Sequence, residues 1–313
     1  MRKPKKGKME ILKYIQAIFQ ILKKTFSAFM DDKAMKLSAS LSYYTVFSLG
    51  PVLVIIFSVV SLVFGKAAVE GKVYAQIKDL VGESAALQVQ EIMSNVSQSG
   101  EGYIGAIIAA IVLVISASAV FIEIQDSINY IWSVKSKPKK GWVKMLVNRL
   151  LSFSLLVTIG FLLLVALLIS ALIDLLGEQI QELLPGISIL VLYVINLSIV
   201  LVIITGLFAI IFKVLPDAKI SWKDAFRGAA FTAFLFIIGK FLISHYLGNS
   251  NVTATYGAAA SVMIIFLWVY YSSMILYLGA EFTKVYATKH GDGIRLKDSA
   301  VYIVKQETRE RNG

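Results

Sequence analysis

The chain has 313 residues, a mean hydropathy of +0.74, 57% hydrophobic and 16% charged residues, and a formal net charge of +11. A soluble domain carries roughly 45–50% apolar and about 25% charged residues, and here the excess is gathered into long charge-free runs, which excludes an ordinary soluble domain. No cysteine is present, so there is no disulfide framework and no thiolate metal site.

In chain order, residues 1–8 read as a basic, disordered tip. Over 9–30, Ile11, Ile15, Ile18, Leu22, Phe26 and Phe29 recur at three- and four-residue spacing, with Lys13, Gln16, Gln20, Lys23 and Lys24 around the remainder. That is the pattern of an amphipathic helix. A basic amphipathic helix beside a membrane lies in the interface against anionic headgroups or packs under the bundle, and the two are compatible. The opening segment lacks a short apolar core followed by a small-residue cleavage site, so no cleaved signal peptide is expected.

Five charge-free runs follow: 37–65 with 29 residues, 102–122 with 21, 150–173 with 24, 183–212 with 30 and 241–280 with 40. About 20 apolar residues cross the hydrocarbon as a helix. The first four runs are one span each. The last is too long for one helix and is broken at Gly248-Asn249-Ser250-Asn251, which leaves 257–280 as one span and about 225–247, with Lys240 inside it, as another. Gly50-Pro51 kinks the first span, because proline removes a helical hydrogen bond. The loop 66–101 reads as two short amphipathic helices, and 174–184 as a shorter one ended by Pro185-Gly186. The second span runs on past the hydrocarbon: Glu123, Asp126 and Asn129, at three-residue steps, share one face. Trp132 closes it at interface depth, and Lys135 to Lys140 form a loop. The expected architecture is an all-α polytopic bundle: a basic N-terminal segment 1–36, a six-helix transmembrane domain 37–281 and a C-terminal tail 282–313.

The basic charge is lopsided. Of 31 Lys and Arg, 27 fall in the two termini and alternate loops, 3 in the opposite loops, and Lys240 lies within a span. Basic residues are retained on the cytoplasmic side during insertion, so both termini are expected inside a plasma membrane. Topology thus accounts for most of the charge. A nucleic-acid partner would need basic and aromatic residues interleaved on a soluble module, and none is seen.

Charge within hydrocarbon is costly and calls for a reason. Lys240 lies in the outer half of its span, at a depth similar to Pro51, with His245 five residues on and Tyr43 and Tyr44 on the first span. These five form a candidate site for an anionic group. The competing reading is a lysine that snorkels to the outer headgroups. Glu123, Asp126 and Asn129, together with Arg149 and Glu281, form a candidate polar cluster at the cytoplasmic end. The two histidines, His245 and His290, fall on opposite sides of the membrane and cannot share a metal. No phosphate-binding loop or catalytic triad is found, so neither a cofactor nor enzymatic activity is expected.

Leu41-Ser-Tyr43-Tyr44-Thr-Val-Phe47-Ser48-Leu49-Gly50-Pro51 resembles the first-helix signature of the YihY/BrkB family. Ile124 to Trp132, Leu215-Pro216-Asp217 with Trp222 and Gly228-Ala229, and Tyr256-Gly257-Ala258 with Trp268, Tyr270 and Leu278-Gly279-Ala280-Glu281 resemble its later motifs, from about residue 26 to 285. The resemblance implies a bacterial inner-membrane protein without a settled activity. A ribonuclease label attached to some members finds no support in these residues. The leading functional expectation is transport or handling of an anionic lipid or amphiphilic solute, with anionic headgroups contacting the N-terminal helix. A non-transporting scaffold or envelope-integrity protein is the competing class. An ion antiporter is the third reading, weakened because Glu123 and Glu281 stand at the ends of their spans. The oligomeric state is left open.

Overall fold

The computed structural model describes residues 6–48, 119–137, 189–249 and 260–305. Six helices lie in these segments: α1 (Lys6–Asp31), α2 (34–48), α3 (119–131), α4 (Ile189–Val214), α5 (Trp222–Asn249) and α6 (Ala260–His290). Four short strands accompany them: β1 (Val134–Ser136), β2 (Ala218–Lys219), β3 (Arg295–Leu296) and β4 (Ala300–Tyr302). The protein is an all-α membrane helical protein, and three described helices are long and apolar enough to cross a bilayer: Leu197–Val214, Trp222–Ile243 and Val262–His290. The proline kink, loop 66–101, the third span and segment 174–184 lie outside the described residues.

Helices α1, α3, α4 and α6 stop for local reasons. α1 turns into α2 through Asp32 and Lys33, the latter at φ 53°, and α3 ends at Ser133 with φ 58°. Residues other than glycine adopt this left-handed conformation at a cost of about 1–2 kcal/mol, so both turns are held by their surroundings. Pro216 follows α4, and Lys213 stands in its last turn, where a cation complements the helix dipole. α5 opens with a capping pair: the Asp224 amide donates to Ser221 Oγ at 3.1 Å, and Ser221 Oγ donates to Asp224 Oδ2 at 2.8 Å. Beyond α6 the chain turns at Gly291 and at Gly293, whose φ of +75° favours glycine; both amides bond the Ala287 carbonyl.

The structure departs from the sequence reading in three places. The expected basic tip is already helical from Lys6. The stretch expected as a loop after Trp132 begins with β1. α6 runs ten residues past Ala280, because the charged residues beyond it still carry an apolar face, with Ala287 buried. From there residues 291–305 fold back as a strap. β3 pairs antiparallel with β2 (Ala218 opposite Leu296), and β4 pairs antiparallel with β1 (Val134 opposite Tyr302). Isolated two-stranded pairs are marginal in water. These lie on a core that includes Phe29, Ile128, Ile131, Trp132, Val134, Phe212, Leu215 and Tyr277. The strap thereby ties the loop after α3 and the loop between α4 and α5 to the end of α6.

Candidate functional site

The buried carboxylates of the described residues, Asp32, Asp217, Asp224 and Glu281, gather at the end of the bundle that carries the strap. Tyr277, Glu281 and Lys284 follow one another on α6 at helical spacing, so they share a face. Glu281 is 0% exposed, and neither carboxylate oxygen has a hydrogen-bond partner. Its neighbours are the Lys284 ammonium, 3.7 Å from Oε2, and the carboxylate of Asp32. Asp32 is well served: Lys284 Nζ lies 3.3 Å from Oδ2, and Lys305 Nζ, brought in by the strap, lies 2.7 Å from Oδ1. Burial alone would raise the Asp32 carboxyl, but the bond from Lys305, the contact with Glu281 and the Lys284 charge hold it below its ordinary value of 3.8. Lys305 also sits over the Tyr130 ring, 3.9 Å from its centroid.

A second network joins α3 to the loop after α4. Asn129 Nδ2 and Gln125 Nε2 each donate to Asp217 Oδ2 at 3.1 Å, and the Asp217 amide returns a bond of 2.8 Å to Asn129 Oδ1. Trp132 Nε1 donates to the Ala280 carbonyl at 3.0 Å, pinning α3 against α6 one residue from Glu281.

The predicted cytoplasmic cluster therefore divides. Asn129 pairs with Asp217. Glu123 accepts from Ser127 Oγ at 3.5 Å and lies near the buried Tyr277 hydroxyl. Asp126 is exposed, Glu281 joins Asp32, and Arg149 lies outside the described residues. Reasoning from sequence missed Asp32, Lys284, Lys305, Gln125 and Asp217. Only the third residue of Leu215-Pro216-Asp217 carried a signal for its own part, an acid set directly after a helix-ending proline.

The predicted anion site is not brought together among the described side chains. Tyr43 is 54% exposed and packs edge-on with Tyr44 and against Phe47. Lys240 is exposed between Ile238 and Phe241, also exposed, roughly 27 Å along α5 from Trp222 by helical rise. Pro51 and the His245 side chain lie outside the described residues. Among the described residues no three His, Asp or Glu side chains form a metal-binding group.

The N-terminal helix has three faces. Ile21, Thr25 and Phe29 are buried against the bundle. Ile18, Leu22, Phe26 and Met30 follow on the next face with Phe19, and are exposed, Phe19 at 67% and Phe26 at 61%. Lys23, Lys24, Gln20 and Ser27 occupy the remainder at about 100° per residue. Lys289 Nζ reaches Gln20 Oε1 at 3.3 Å while Lys284 reaches Asp32. About 18 Å of α1 thus meets about 8 Å of α6, so α1 crosses the end of α6 obliquely.

Long apolar helices, apolar side chains exposed on their flanks and polar groups collected at one end define an integral membrane helical protein. A model of the family described as Virulence factor BrkB matches residues 25–301, and the chain belongs to that family. The UPF0761 membrane protein of Aeromonas salmonicida (strain A449) is 30% identical over 265 residues, covering 82% of this chain and 86% of that protein. The UPF0761 membrane protein RSc1559 of Ralstonia nicotianae is 26% identical over 80% of this chain and 55% of its own length. A UPF0761 membrane protein of Stenotrophomonas maltophilia (strain R551-3) is 28% identical over 86% and 61%. The chain therefore spans most of the first relative and under two thirds of the other two. No solved structure matches the chain.

Proposed function

We propose that the protein handles an anionic amphiphile, a lipid or a lipid-like solute, at the plasma membrane, with both termini in the cytoplasm. The observation that carries this reading is the three-sided α1. Its buried face holds the bundle, its exposed aromatic face suits acyl chains, and its lysines suit phosphate headgroups. The 27-to-3 distribution of basic residues supports the orientation, because retained positive charge marks the cytoplasmic side. In this reading the protein is not an enzyme and needs no cofactor. Lys240 serves as a far-side anchor or headgroup contact, its exposed position favouring the former.

The test is reconstitution into liposomes with a fluorescent phosphatidylglycerol analogue and a membrane-impermeant quencher. Faster exchange between leaflets than in protein-free liposomes, slowed by Lys23→Glu with Lys24→Glu, supports handling of the lipid. Exchange equal to protein-free liposomes removes the transport form of the reading. A scaffold is the second reading, favoured by the strap that knits two loops to α6. It expects α1 charge reversal to displace a partner rather than alter flux.

A further inference from the structure

Glu281 is the least explained group among the described residues. It is fully buried, both of its oxygens lack a donor, and yet two ammonium groups stand in the same cluster. A buried carboxylate that is ionised and accepts no hydrogen bond is costly. Both ammoniums lie closer to Asp32, at 2.7 and 3.3 Å, than either lies to Glu281. Such an arrangement suits one negative charge, on Asp32, and a neutral Glu281 whose hydroxyl points toward Asp32. Two ionised carboxylates would divide the lysines between them.

We propose that Glu281 and Asp32 form a proton-binding site, one proton shared between two carboxylates, and that its occupancy is linked to docking of the C-terminal strap. The link runs through Lys305, the one member of the cluster that the strap supplies. The groups facing the site are Asp32 from the α1–α2 turn, Lys284 and Tyr277 from α6, Lys305 from the end of the strap, and Glu123 with Ser127 from α3 beside Tyr277. Binding free energies are reciprocal. A docked Lys305 stabilises the negative charge and so favours release of the proton, and release of the proton strengthens docking of Lys305. The site stands apart from what the bundle handles, so it holds or fails independently of the lipid reading.

Infrared difference spectroscopy of the full chain in nanodiscs tests it. The wild type at neutral pH is expected to show the carbonyl stretch of a protonated carboxylic acid. That band disappears in Glu281→Gln, which keeps the shape of the neutral acid, and remains in Glu123→Gln. In Lys305→Met the band persists to higher pH than in the wild type. Absence of the band from the wild type at neutral pH, or its persistence in Glu281→Gln, overturns the proposal. If Glu281→Gln fails to give a monodisperse protein, Lys305→Met decides: a band lost at higher pH supports the shared proton, and an unmoved one refutes the link.

Discussion

Gly228 and Gly279 set how closely α5 and α6 approach, and the sign of a glycine-to-alanine change reads that closeness. The two helices run antiparallel, and each carries a Gly-x-x-x-Thr pair: Gly228 with Thr232, and Gly279 with Thr283. Each threonine fills the notch of the opposite glycine. A Cβ on Gly228 would overlap Thr283 Oγ1 and lie 2.9 Å from Thr283 Cβ; a Cβ on Gly279 would overlap Thr232 Oγ1 and lie 2.8 Å from Thr232 Cβ. Both hydroxyls are held by 2.7 Å bonds, Thr232 to the Gly228 carbonyl and Thr283 to the Gly279 carbonyl. Rotation therefore breaks a bond and leaves the Cβ contact in place. Overpacking costs about 1–3 kcal/mol, and alanine returns about 0.5–1 kcal/mol of helix preference. The net expectation is a loss of up to about 2.5 kcal/mol for each single variant. Gly206 in α4 is the control, with no described atom within 4 Å of where a Cβ would stand, and Gly206→Ala should gain about 0.5–1 kcal/mol. Thermal unfolding in detergent, followed by tryptophan fluorescence, separates the two signs. Thr283→Ala in the Gly228→Ala background should recover part of the loss, since it removes Oγ1 and Cγ2 but leaves Cβ. Gly228→Ala and Gly279→Ala variants both as stabilised as Gly206→Ala would refute close packing of these helices.

Trp132→Phe removes the bond to the Ala280 carbonyl and should lower stability by about 0.5–1.5 kcal/mol, measured by the same unfolding assay with a tyrosine signal. Asn129→Ala leaves the buried Asp217 amide and carboxylate short of partners and should cost about 1–3 kcal/mol; a change within error would show that Asp217 is held without it. Truncation after Gly293 removes β3 and β4, and hydrogen exchange should quicken at the amides of Val134–Ser136 and Ala218–Lys219 while α5 is unaffected. Asp32 is depressed below 3.8, so its contribution to stability is complete above that value and disappears as pH falls through the folded value. Wild-type unfolding temperature should fall between about pH 5 and about pH 2 more steeply than that of Asp32→Asn.

The membrane class and the helices α1, α4, α5 and α6 were legible because each rests on a local pattern: a three-to-four-residue apolar period in α1, charge-free runs in the others. The fifth span, with Lys240 inside it, is a continuous helix because an exposed lysine on a flank does not interrupt backbone hydrogen bonding. The site was legible only in part. Asn129 and Glu281 stood out as polar residues at the ends of apolar runs. Asp217 lies 88 residues from Asn129, Asp32 lies 249 from Glu281, and Lys305 lies 273 from Asp32, and nothing in a single chain relates residues at such separations. Lys305 reads as one more basic residue in a basic tail until β4 places it over Tyr130.

The strap gives that tail a role beyond carrying charge. Charge alone needs no fixed position, and a disordered tail would retain positive charge as well as a folded one. Here the tail bonds the turn after α3 through its backbone and the end of α4 through a side chain. The Ile303 amide donates to the carbonyl of Ser133 at 2.9 Å, beside the left-handed end of α3, and Lys297 Nζ donates to the Val214 carbonyl at 3.2 Å at the end of α4. The Val214 carbonyl is one that a helix leaves unpaired at its C-terminus, and the Ser133 carbonyl belongs to the turn beyond α3. Because the same fifteen residues that hold the turn after α3 and cap α4 also carry Lys305 to Asp32, undocking the strap would release that turn, uncap α4 and remove a cation from a buried acid. Release of the strap as a unit therefore couples three losses: the turn after α3, the α4 cap and the charge beside Asp32.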